Sequence, residues 1–306
     1  MEYRQLGRDG DRVSILGLGA WPIGGGMGHV DEADAINTIH AALDHGLTLI
    51  DTAQGYRTSE ATLGKALKHG QRERCFLATK VSQDYSRRGI RAAMENSLRA
   101  LQVDYVDLYQ IHHWDERYPL EEVMETMARL QEEGKTRYIG VSNFTAAQME
   151  QALQITPFHS NQPPYNMIDR QIEAEDIPFC ERAGIGILAH SPLAKGLLAG
   201  KYTVNHKFQA GDERAAFARF QGEAFAGYLA MVNQLKSVAQ AKGLTMVQLA
   251  LAWTLRLPAI TCVLIGARNP TQIEEPLGAV GVTFSQDELA HIDEILAAAP
   301  KVTHIY

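Results

Sequence analysis

The sequence predicts a closed barrel of eight parallel β-strands and surrounding helices, an α/β fold that begins with a β-hairpin and ends in a C-terminal helix. Three observations support this fold class. Short apolar runs alternate along the chain with longer stretches of helical spacing. The runs are almost continuously apolar, which is typical of parallel strands buried on both faces. Eight such units follow one another without a linker, which favours a closed (β/α)8 barrel over an open doubly wound sheet.

The predicted strands follow a simple order. Two short alternating stretches around a Gly-Asp turn, residues 3–6 and 13–16, are typical of a β-hairpin. The apolar runs that predict barrel strands are residues 15–20, 47–50, 75–78, 105–111, 138–141, 185–188 and 260–265. A weaker candidate at residues 158–162 lies between the fifth and sixth runs and brings the number of strands to eight.

The segments between the runs carry helix signals. Residues 31–44 have amphipathic spacing, and residues 120–130 present one apolar face that ends near Gly134, a typical C-cap. Residues 145–148 have the spacing of a capping box. The stretch 195–226, rich in Gly, Phe and charge, is too long for a simple connection. We expect it to be a functional loop over one mouth of the barrel.

Composition excludes several classes of protein. The formal charge of −7 argues against a general nucleic-acid binder, which needs surplus Lys and Arg. No apolar run reaches the ~18 residues of a membrane-spanning helix, and the first residues lack the apolar segment of a signal peptide. Cys75, Cys180 and Cys262 have neither metal nor disulfide spacing, so we expect a reducing cytoplasm. Without a visible boundary, residues 1–306 are expected to form one domain, whose oligomeric state the sequence leaves open.

The loops of a β/α barrel gather its chemistry at the C-terminal ends of the strands. The residues that follow the predicted strands are Trp21, Asp51, Lys80, His112, Ser142, Asn143, Gln162, His190, Ser191, Gly266, Ala267 and Arg268. Asp51, Lys80 and His112 come from three consecutive strands and would point into one mouth. Because these side chains are predicted to lie close together, we interpret them as parts of one reactive site and not as three unrelated polar residues at strand ends.

Tyr56 lies five residues beyond Asp51, so its hydroxyl is expected to reach the same mouth. A free tyrosine has a pKa near ~10, and the ammonium of Lys80 is expected to lower the pKa of this phenol. Asp51 would keep the lysine charged, and His112 would donate a hydrogen bond to a carbonyl oxygen. These residues suit proton transfer to a carbonyl oxygen as hydride arrives at its carbon.

The adjacent His113 is a rival for the role of His112. Because a β-strand alternates its faces, we expect only one of the two histidines to point into the mouth. The spacing from residues 107–109 favours His112.

Several segments of the sequence, in the order in which they occur along the chain, resemble those of the aldo-keto reductase superfamily, and in particular those of bacterial-type NADP-dependent aldehyde and ketone reductases. The matching segments are DTAQGY at 51–56, SE at 59–60, LGKAL at 63–67, ATK at 78–80, DLYQIH at 107–112, GVSNF at 140–144, residues 162–169, SPL at 191–193 and GARNP at 266–270. The likeness runs from the first hairpin to about residue 276. It implies the barrel, a nicotinamide cofactor bound extended, and a catalytic tetrad of Tyr56, Lys80, His112 and Asp51.

The resemblance also implies cofactor contacts. Ser142, Asn143 and Gln162 would bind the nicotinamide carboxamide, while Gln272 and Glu275 would contact the adenosine end. Three positions depart from the family pattern. His190 replaces a stacking aromatic residue, Pro276 replaces an adenine-contacting asparagine, and Ile265 replaces a frequent proline.

The phosphate-binding part of the cofactor site is predicted from the barrel. No Gly-x-Gly-x-x-Gly lies between a strand and a helix with a following acidic residue, so a Rossmann site is rejected. Barrels hold phosphates after strands 7 and 8 instead. There the sequence offers Ser191, Pro192, Leu193, Lys195, Gly196, Gly266, Ala267 and Arg268. The guanidinium of Arg268 suits a 2′-phosphate, so we expect NADPH rather than NADH.

The expected substrate is a small carbonyl compound in a pocket lined by Trp21, Tyr56, His112 and Trp114. We expect Trp21 to contact the cofactor as well as the substrate. The loops after strands 1 and 4 carry the two tryptophans.

Arg214 and Arg219, on the long loop, would suit a sugar-derived or otherwise polar aldehyde. Two other functions are open to such a sequence. The resemblance also allows a regulatory subunit of a membrane channel, which would bind cofactor with little turnover, but the intact tetrad counts against it. A metal-dependent barrel enzyme would use His112, His113 and Asp115, but adjacent histidines on a strand diverge and no second cluster completes a site.

Overall fold

An antiparallel hairpin of β1 (Tyr3–Gln5) and β2 (Arg12–Ser14) begins the chain in the structure, a computed structural model that describes residues 1–209 and 212–302. The predicted arm 13–16 ends earlier than expected because Leu16 belongs to the first barrel strand. Leu6 and Val13 are buried in one cluster with side chains from the barrel strands. The hairpin therefore covers one mouth of the barrel, and the opposite mouth stays open.

The predicted closed barrel is confirmed. Its strands are β3 (Leu16–Gly19), β4 (Leu49–Asp51), β5 (Phe76–Val81), β6 (Val106–Ile111), β7 (Thr136–Ser142), β8 (Ser160–Gln162), β9 (Gly186–Ala189) and β10 (Ile260–Gly266). They are parallel and pair in sequence order, and β10 closes the ring beside β3. The weak candidate β8 is a true strand, since it pairs with both β7 and β9.

Ten α-helices are found in the part of the chain that the structure describes. They are α1 (Glu32–Asp44), α2 (Ser59–Ala66), α3 (Arg87–Leu101), α4 (Leu120–Glu132), α5 (Ala146–Leu153), α6 (Asp176–Ala183), α7 (Gly222–Ala241), α8 (Met246–Leu255), α9 (Thr271–Leu277) and α10 (Gln286–Ala297). The predicted capping box is present, because the Thr145 side chain accepts from the Gln148 N–H and the Gln148 side chain accepts from the Thr145 N–H. Of these described helices, none has the length and apolar character needed to cross a membrane.

Two apolar clusters hold the barrel together. The larger one lies between the strands and the helices, where side chains such as Ile50, Leu63 and Leu249 are fully buried. The smaller one contains Leu49 and Leu188 from the strands together with the hairpin residues. The apolar strands therefore contribute side chains to two cores, one inside the barrel and one between the barrel and the helices, as their sequence pattern predicts.

The segment 195–226 is more ordered than the predicted loop. It contains short 3₁₀ turns at Glu213–Ala216 and Ala218–Phe220, a turn at Ala194–Ala199 that is kinked at Lys195 and Gly196, and the start of α7 at Gly222. Arg219 is buried and forms a two-pronged ion pair with the buried Asp169, at 2.5 and 2.9 Å. Residues 210 and 211 of the predicted loop lie outside the described residues. The ion pair fixes the segment to the barrel rim beyond β8.

Candidate active site

A cavity of about 590 Å³ opens at the C-terminal ends of the barrel strands. Asp51 from β4, Ser142 from β7 and Gln162 from β8 all reach it. The residues that line it are Gly19, Trp21, Pro22, Met27, Asp51, Gly55, Tyr56, Ser82, His112, His113, Ser142, Asn143, Gln162, His190, Ser191, Pro192, Leu193, Lys195, Gly196, Glu213, Phe217, Leu264 and Gly266. Most residues predicted for the tetrad and the cofactor therefore meet in one cavity.

Lys80 lies beneath this cavity, fully buried on β5. Its Nζ is 2.5 Å from Asp51 Oδ2 and also donates to the carbonyl oxygen of Thr52 at 2.9 Å. Burial alone would lower the pKa of Lys80, but Asp51 and Tyr56 outweigh it and hold that pKa above its ordinary value. The direction of this shift favours the charged ammonium form of Lys80.

The second oxygen of Asp51 is also bound. Gln162 Nε2 donates to Asp51 Oδ1 at 2.8 Å, and Gln110 Nε2 donates to the same atom at 3.2 Å. Sequence reasoning missed Gln110, although a glutamine inside the buried strand β6 was a signal of a polar partner within the barrel. Gln162, expected at the nicotinamide carboxamide, thus directs its amide nitrogen to Asp51 and helps to orient that carboxylate.

Tyr56 lies in the loop between β4 and α2. Its Oη is 3.5 Å from Lys80 Nζ, at the outer limit of a hydrogen bond, and its ring meets those of Trp21 and His112 edge-on. Burial raises the pKa of Tyr56 above its ordinary value, and the opposing charge of Lys80 only reduces this rise. Lys80 thus lowers the pKa of the phenol as expected, but the net pKa lies above its ordinary value because desolvation of the phenolate is the larger effect.

His112 is a neutral imidazole. Burial, followed by the nearby charge of Lys80, lowers the pKa of His112 to about 2. Its Nδ1 lies 2.8 Å from the hydroxyl oxygen of Ser82. A neutral ring retains one N–H, so His112 can act as a hydrogen-bond donor without carrying charge.

His112 and His113 both line the cavity, so the expectation that only one could face the mouth is wrong. The two rings stack in parallel with centroids 4.5 Å apart. The alternation of faces applies within a strand, and β6 ends at Ile111. Both histidines lie beyond that end, where the backbone is free to turn.

Asn143 joins several of the predicted cofactor residues. Its Nδ2 donates to the His112 carbonyl oxygen at 3.0 Å, which orients the amide and leaves Oδ1 to accept from His190 Nε2 at 3.1 Å. Burial, followed by the charge of Lys80, lowers the pKa of His190 to about 3. With Nε2 as the donor, His190 Nδ1 accepts from the Ser191 hydroxyl at 3.0 Å. Both ring nitrogens are thus engaged, and the imidazole is held on the cavity wall.

The backbone after β9 has an unusual conformation. Ser191, Ala194 and Lys195 have φ values of 56°, 46° and 56°, which are left-handed values in non-glycine residues. Each such residue costs roughly 1–3 kcal/mol and is typical of functional segments. Lys195 Nζ lies 2.7 Å from Glu213 Oε1 and 4.9 Å from the centroid of the Phe217 ring. The turn after β9 and the long segment therefore meet over one side of the cavity.

The residues predicted for the adenosine end lie outside the cavity. Arg268 is exposed just before α9, and its Nη1 is 3.4 Å from the Met27 carbonyl oxygen. Gln272 accepts from the Arg268 backbone N–H at 2.9 Å, and Glu275 accepts from Lys201 Nζ at 3.4 Å. Ala267, which was also predicted to contact the cofactor, is buried.

Three predicted substrate contacts do not reach the cavity. Trp114 packs edge-on against Phe144 beside the cavity instead of lining it, and its indole Nε1 is buried without a hydrogen-bond partner in the described residues. Arg214 forms an ion pair with Asp212 at 2.6 Å. Arg219 is the buried partner of Asp169 described above. The two arginines therefore order the long segment, and neither of them lines the cavity.

The Aldo/keto reductase family model matches residues 15–297 of the chain. Aldo-keto reductase YhdN of Bacillus subtilis (strain 168) is 41% identical over 310 residues, which cover 97% of this chain and 94% of that protein. L-glyceraldehyde 3-phosphate reductase of Escherichia coli (strain K12) is 31% identical, over 97% and 93% of the two chains.

Solved structures give the same result. The glycerol dehydrogenase AKR11B4 from Gluconobacter oxydans superimposes with a TM-score of 0.89 at 33% identity, over 99% of this chain and 98% of that one. The thermostable aldo-keto reductase Tm1743, solved with the inhibitor epalrestat, gives a TM-score of 0.78 at 31% identity, over 96% and 100%.

Proposed function

The chain belongs to the aldo/keto reductase family of oxidoreductases, and we propose that it uses NADPH to reduce an aldehyde or ketone to the alcohol, with Tyr56 as the proton donor. One observation carries the proposal. Lys80 is fully buried beneath the cavity and lies 2.5 Å from Asp51 and 3.5 Å from the Tyr56 hydroxyl. Asp51, Tyr56 and His112 line the cavity above it. A buried ammonium beside a phenol is suited to a proton-transfer step.

Each member of the tetrad has a separate task in this proposal. NADPH, when bound, supplies the hydride to the carbonyl carbon. The Tyr56 hydroxyl gives its proton to the carbonyl oxygen, and Lys80 stabilises the phenolate that remains. Asp51 keeps Lys80 charged. The neutral His112 donates a hydrogen bond to the carbonyl oxygen and orients the substrate.

The two ends of the cavity support a cofactor bound in an extended conformation. Asn143, Ser142 and His190 form a polar wall beside the tetrad. Toward the rim, Lys195 and the strained turn after β9 provide a cation and a fixed backbone. Arg268, exposed beyond that rim, is our candidate for the 2′-phosphate and hence for NADPH preference.

The proposed substrates are small polar aldehydes, including sugar-derived ones. The arginines that first suggested this class do not reach the cavity, so support comes from elsewhere. Two relatives carry names that refer to three-carbon polyols or their aldehydes. The substrate side of the cavity combines Trp21 with the polar rings of His112 and His113. We also propose a reducing compartment such as the cytoplasm, because Cys75, Cys180 and Cys262 are buried free thiols.

A panel of aldehydes and ketones tests this function. NADPH oxidation is followed by absorbance for the wild type and for Tyr56→Phe as the matched control. We expect turnover on several carbonyl compounds by the wild type and a large loss in the variant. NADPH binding with no turnover on any member of the panel would overturn the proposal and favour a regulatory, cofactor-binding protein.

A further inference from the structure

Ser82 connects two parts of the site that are distant in sequence. It follows the last residue of β5, two positions after Lys80, and its side chain reaches the cavity. Its hydroxyl oxygen lies 3.2 Å from the backbone nitrogen of Gly55 and 2.8 Å from His112 Nδ1. The backbone N–H of Ser82 donates to Gln54 Oε1 at 3.2 Å, which fixes the serine in place.

The direction of each hydrogen bond follows from the chemistry of the groups. The backbone N–H of Gly55 can only donate, so it gives its proton to the Ser82 oxygen. In the described residues, His112 Nδ1 is the one acceptor within hydrogen-bond distance of the Ser82 hydroxyl. The oxygen has a second lone pair, but donation to Nδ1 is the arrangement that gives the hydroxyl proton an acceptor among the described residues, and it requires a lone pair on Nδ1.

This arrangement has a consequence for the other ring nitrogen. A neutral imidazole with a lone pair on Nδ1 carries its proton on Nε2. In the described part of the chain, no protein group forms a hydrogen bond with His112 Nε2. That N–H is then available for a carbonyl oxygen in the cavity.

We propose that Ser82 is a positioning residue that holds His112 in the tautomer with the proton on Nε2. The inference rests on the proposed function in one respect, because only in that function does the Nε2–H donate a hydrogen bond to a substrate carbonyl. In the opposite tautomer, Nε2 would present a lone pair to the carbonyl oxygen, and the two acceptors would repel each other. Ser82 thereby acts on the reaction through His112 alone.

The first test measures the tautomer directly and without turnover. Protein labelled with ¹⁵N-histidine is compared by long-range ¹H–¹⁵N NMR with His112→Gln, which assigns the His112 signals. We expect a protonated Nε2 and an unprotonated Nδ1 in the wild type. A protonated Nδ1 in the wild type would overturn the proposal, and this result does not depend on the folding of any Ser82 variant.

The second test uses Ser82→Ala, with Ser82→Thr as the matched variant that retains a hydroxyl. Loss of one neutral hydrogen bond should lower kcat about threefold to tenfold with unchanged NADPH affinity, and Ser82→Thr should recover most of this loss. In Ser82→Ala, the NMR spectrum should show a larger share of His112 protonated at Nδ1. A merely structural role would leave the tautomer unchanged, and that result would contradict the proposal.

A double-mutant cycle separates this inference from the proposed function. In a His112→Ala background, Ser82→Ala should have no further effect on kcat, because its effect passes through the histidine. An equal loss in both backgrounds would show that Ser82 acts by another route. If Tyr56→Phe retained activity, the proposed function would fail while the tautomer measurement would stand.

Discussion

The Nζ of Lys80 and the Oδ2 of Asp51 are 2.5 Å apart in a region where neither side chain is more than 3% exposed. A buried ammonium without a partner would lose its proton, because desolvation disfavours the charged form. The carboxylate prevents this loss, and Gln110 and Gln162 hold the carboxylate. The charge beside the Tyr56 hydroxyl is therefore built into the barrel.

The first prediction tests this pair through stability. Asp51→Asn removes the counter-charge and leaves Lys80 buried, so the free energy of unfolding should fall by about 3–5 kcal/mol at neutral pH. Urea unfolding followed by circular dichroism measures the loss. The matched control is Asp44→Asn, which breaks an exposed ion pair with Arg74 and should cost less than about 1 kcal/mol. Equal losses in the two variants would contradict the role of the buried pair.

The second prediction concerns pH. Burial raises the pKa of Tyr56 above its ordinary value of 10.0, so the phenol stays protonated throughout the neutral range. Carbonyl reduction needs the phenol, so its rate should not depend on the ionisation of Tyr56 across the neutral range and should decline only at alkaline pH. Alcohol oxidation by NADP⁺ needs the phenolate, so its kcat/KM should rise as the pH increases from neutral towards the pKa of Tyr56. Profiles of kcat/KM in both directions check this, and a reduction rate that fell between pH 6 and 8 would contradict it.

The barrel was predictable because its strands and helices follow periodic features of the sequence, and the grouping of Asp51, Lys80 and His112 followed from their places at consecutive strand ends. Apolar runs marked every barrel strand except β8, and residues at consecutive strand ends had to meet at one mouth. Asp51 and His112 line the cavity there, and Lys80 lies beneath it beside Asp51. His113 and Trp114 were misplaced because they lie beyond the end of β6, where strand alternation no longer fixes a side chain. That limit is geometric.

Other features depended on tertiary packing that no local pattern encodes. Arg214 and Arg219 read as binding residues, yet their carboxylate partners lie within the molecule. The net pKa of Tyr56 is raised although Lys80 lowers it as expected, because the burial of the phenol, which the sequence does not show, has the larger effect. Ser82 was overlooked, although its position just beyond the strand of Lys80 could have indicated it.

The third prediction concerns the choice of cofactor. If Arg268 holds the 2′-phosphate, Arg268→Ala should weaken NADPH binding by the ~1.5–3 kcal/mol typical of a hydrogen bond to a charged group. NADH lacks that phosphate, so its affinity should barely change. Fluorescence titration with each cofactor measures both effects. Equal losses for NADPH and NADH would remove Arg268 from this role.

The fourth prediction concerns the coupling of Lys80 to Tyr56. Lys80→Met removes the charge that opposes desolvation of the phenolate, so the pKa of Tyr56 should rise further and turnover should fall strongly. Because both residues act on one proton transfer, the losses in Lys80→Met and Tyr56→Phe should not add in the double variant. Steady-state rates of the single and double variants provide the comparison. Additive losses would mean that Lys80 contributes by a separate route.

The central claim is that Tyr56 donates the proton, and single-turnover NADPH oxidation by Tyr56→Phe tests it most directly. The substitution keeps the ring that packs against Trp21 and His112 and removes only the hydroxyl, so NADPH affinity should be unchanged. Single-turnover kinetics separates hydride transfer from product release. We predict a rate lower by ~10²–10⁴-fold, the loss expected for a general acid. A near-wild-type rate with normal NADPH binding would contradict the account and show that the proton comes from another group.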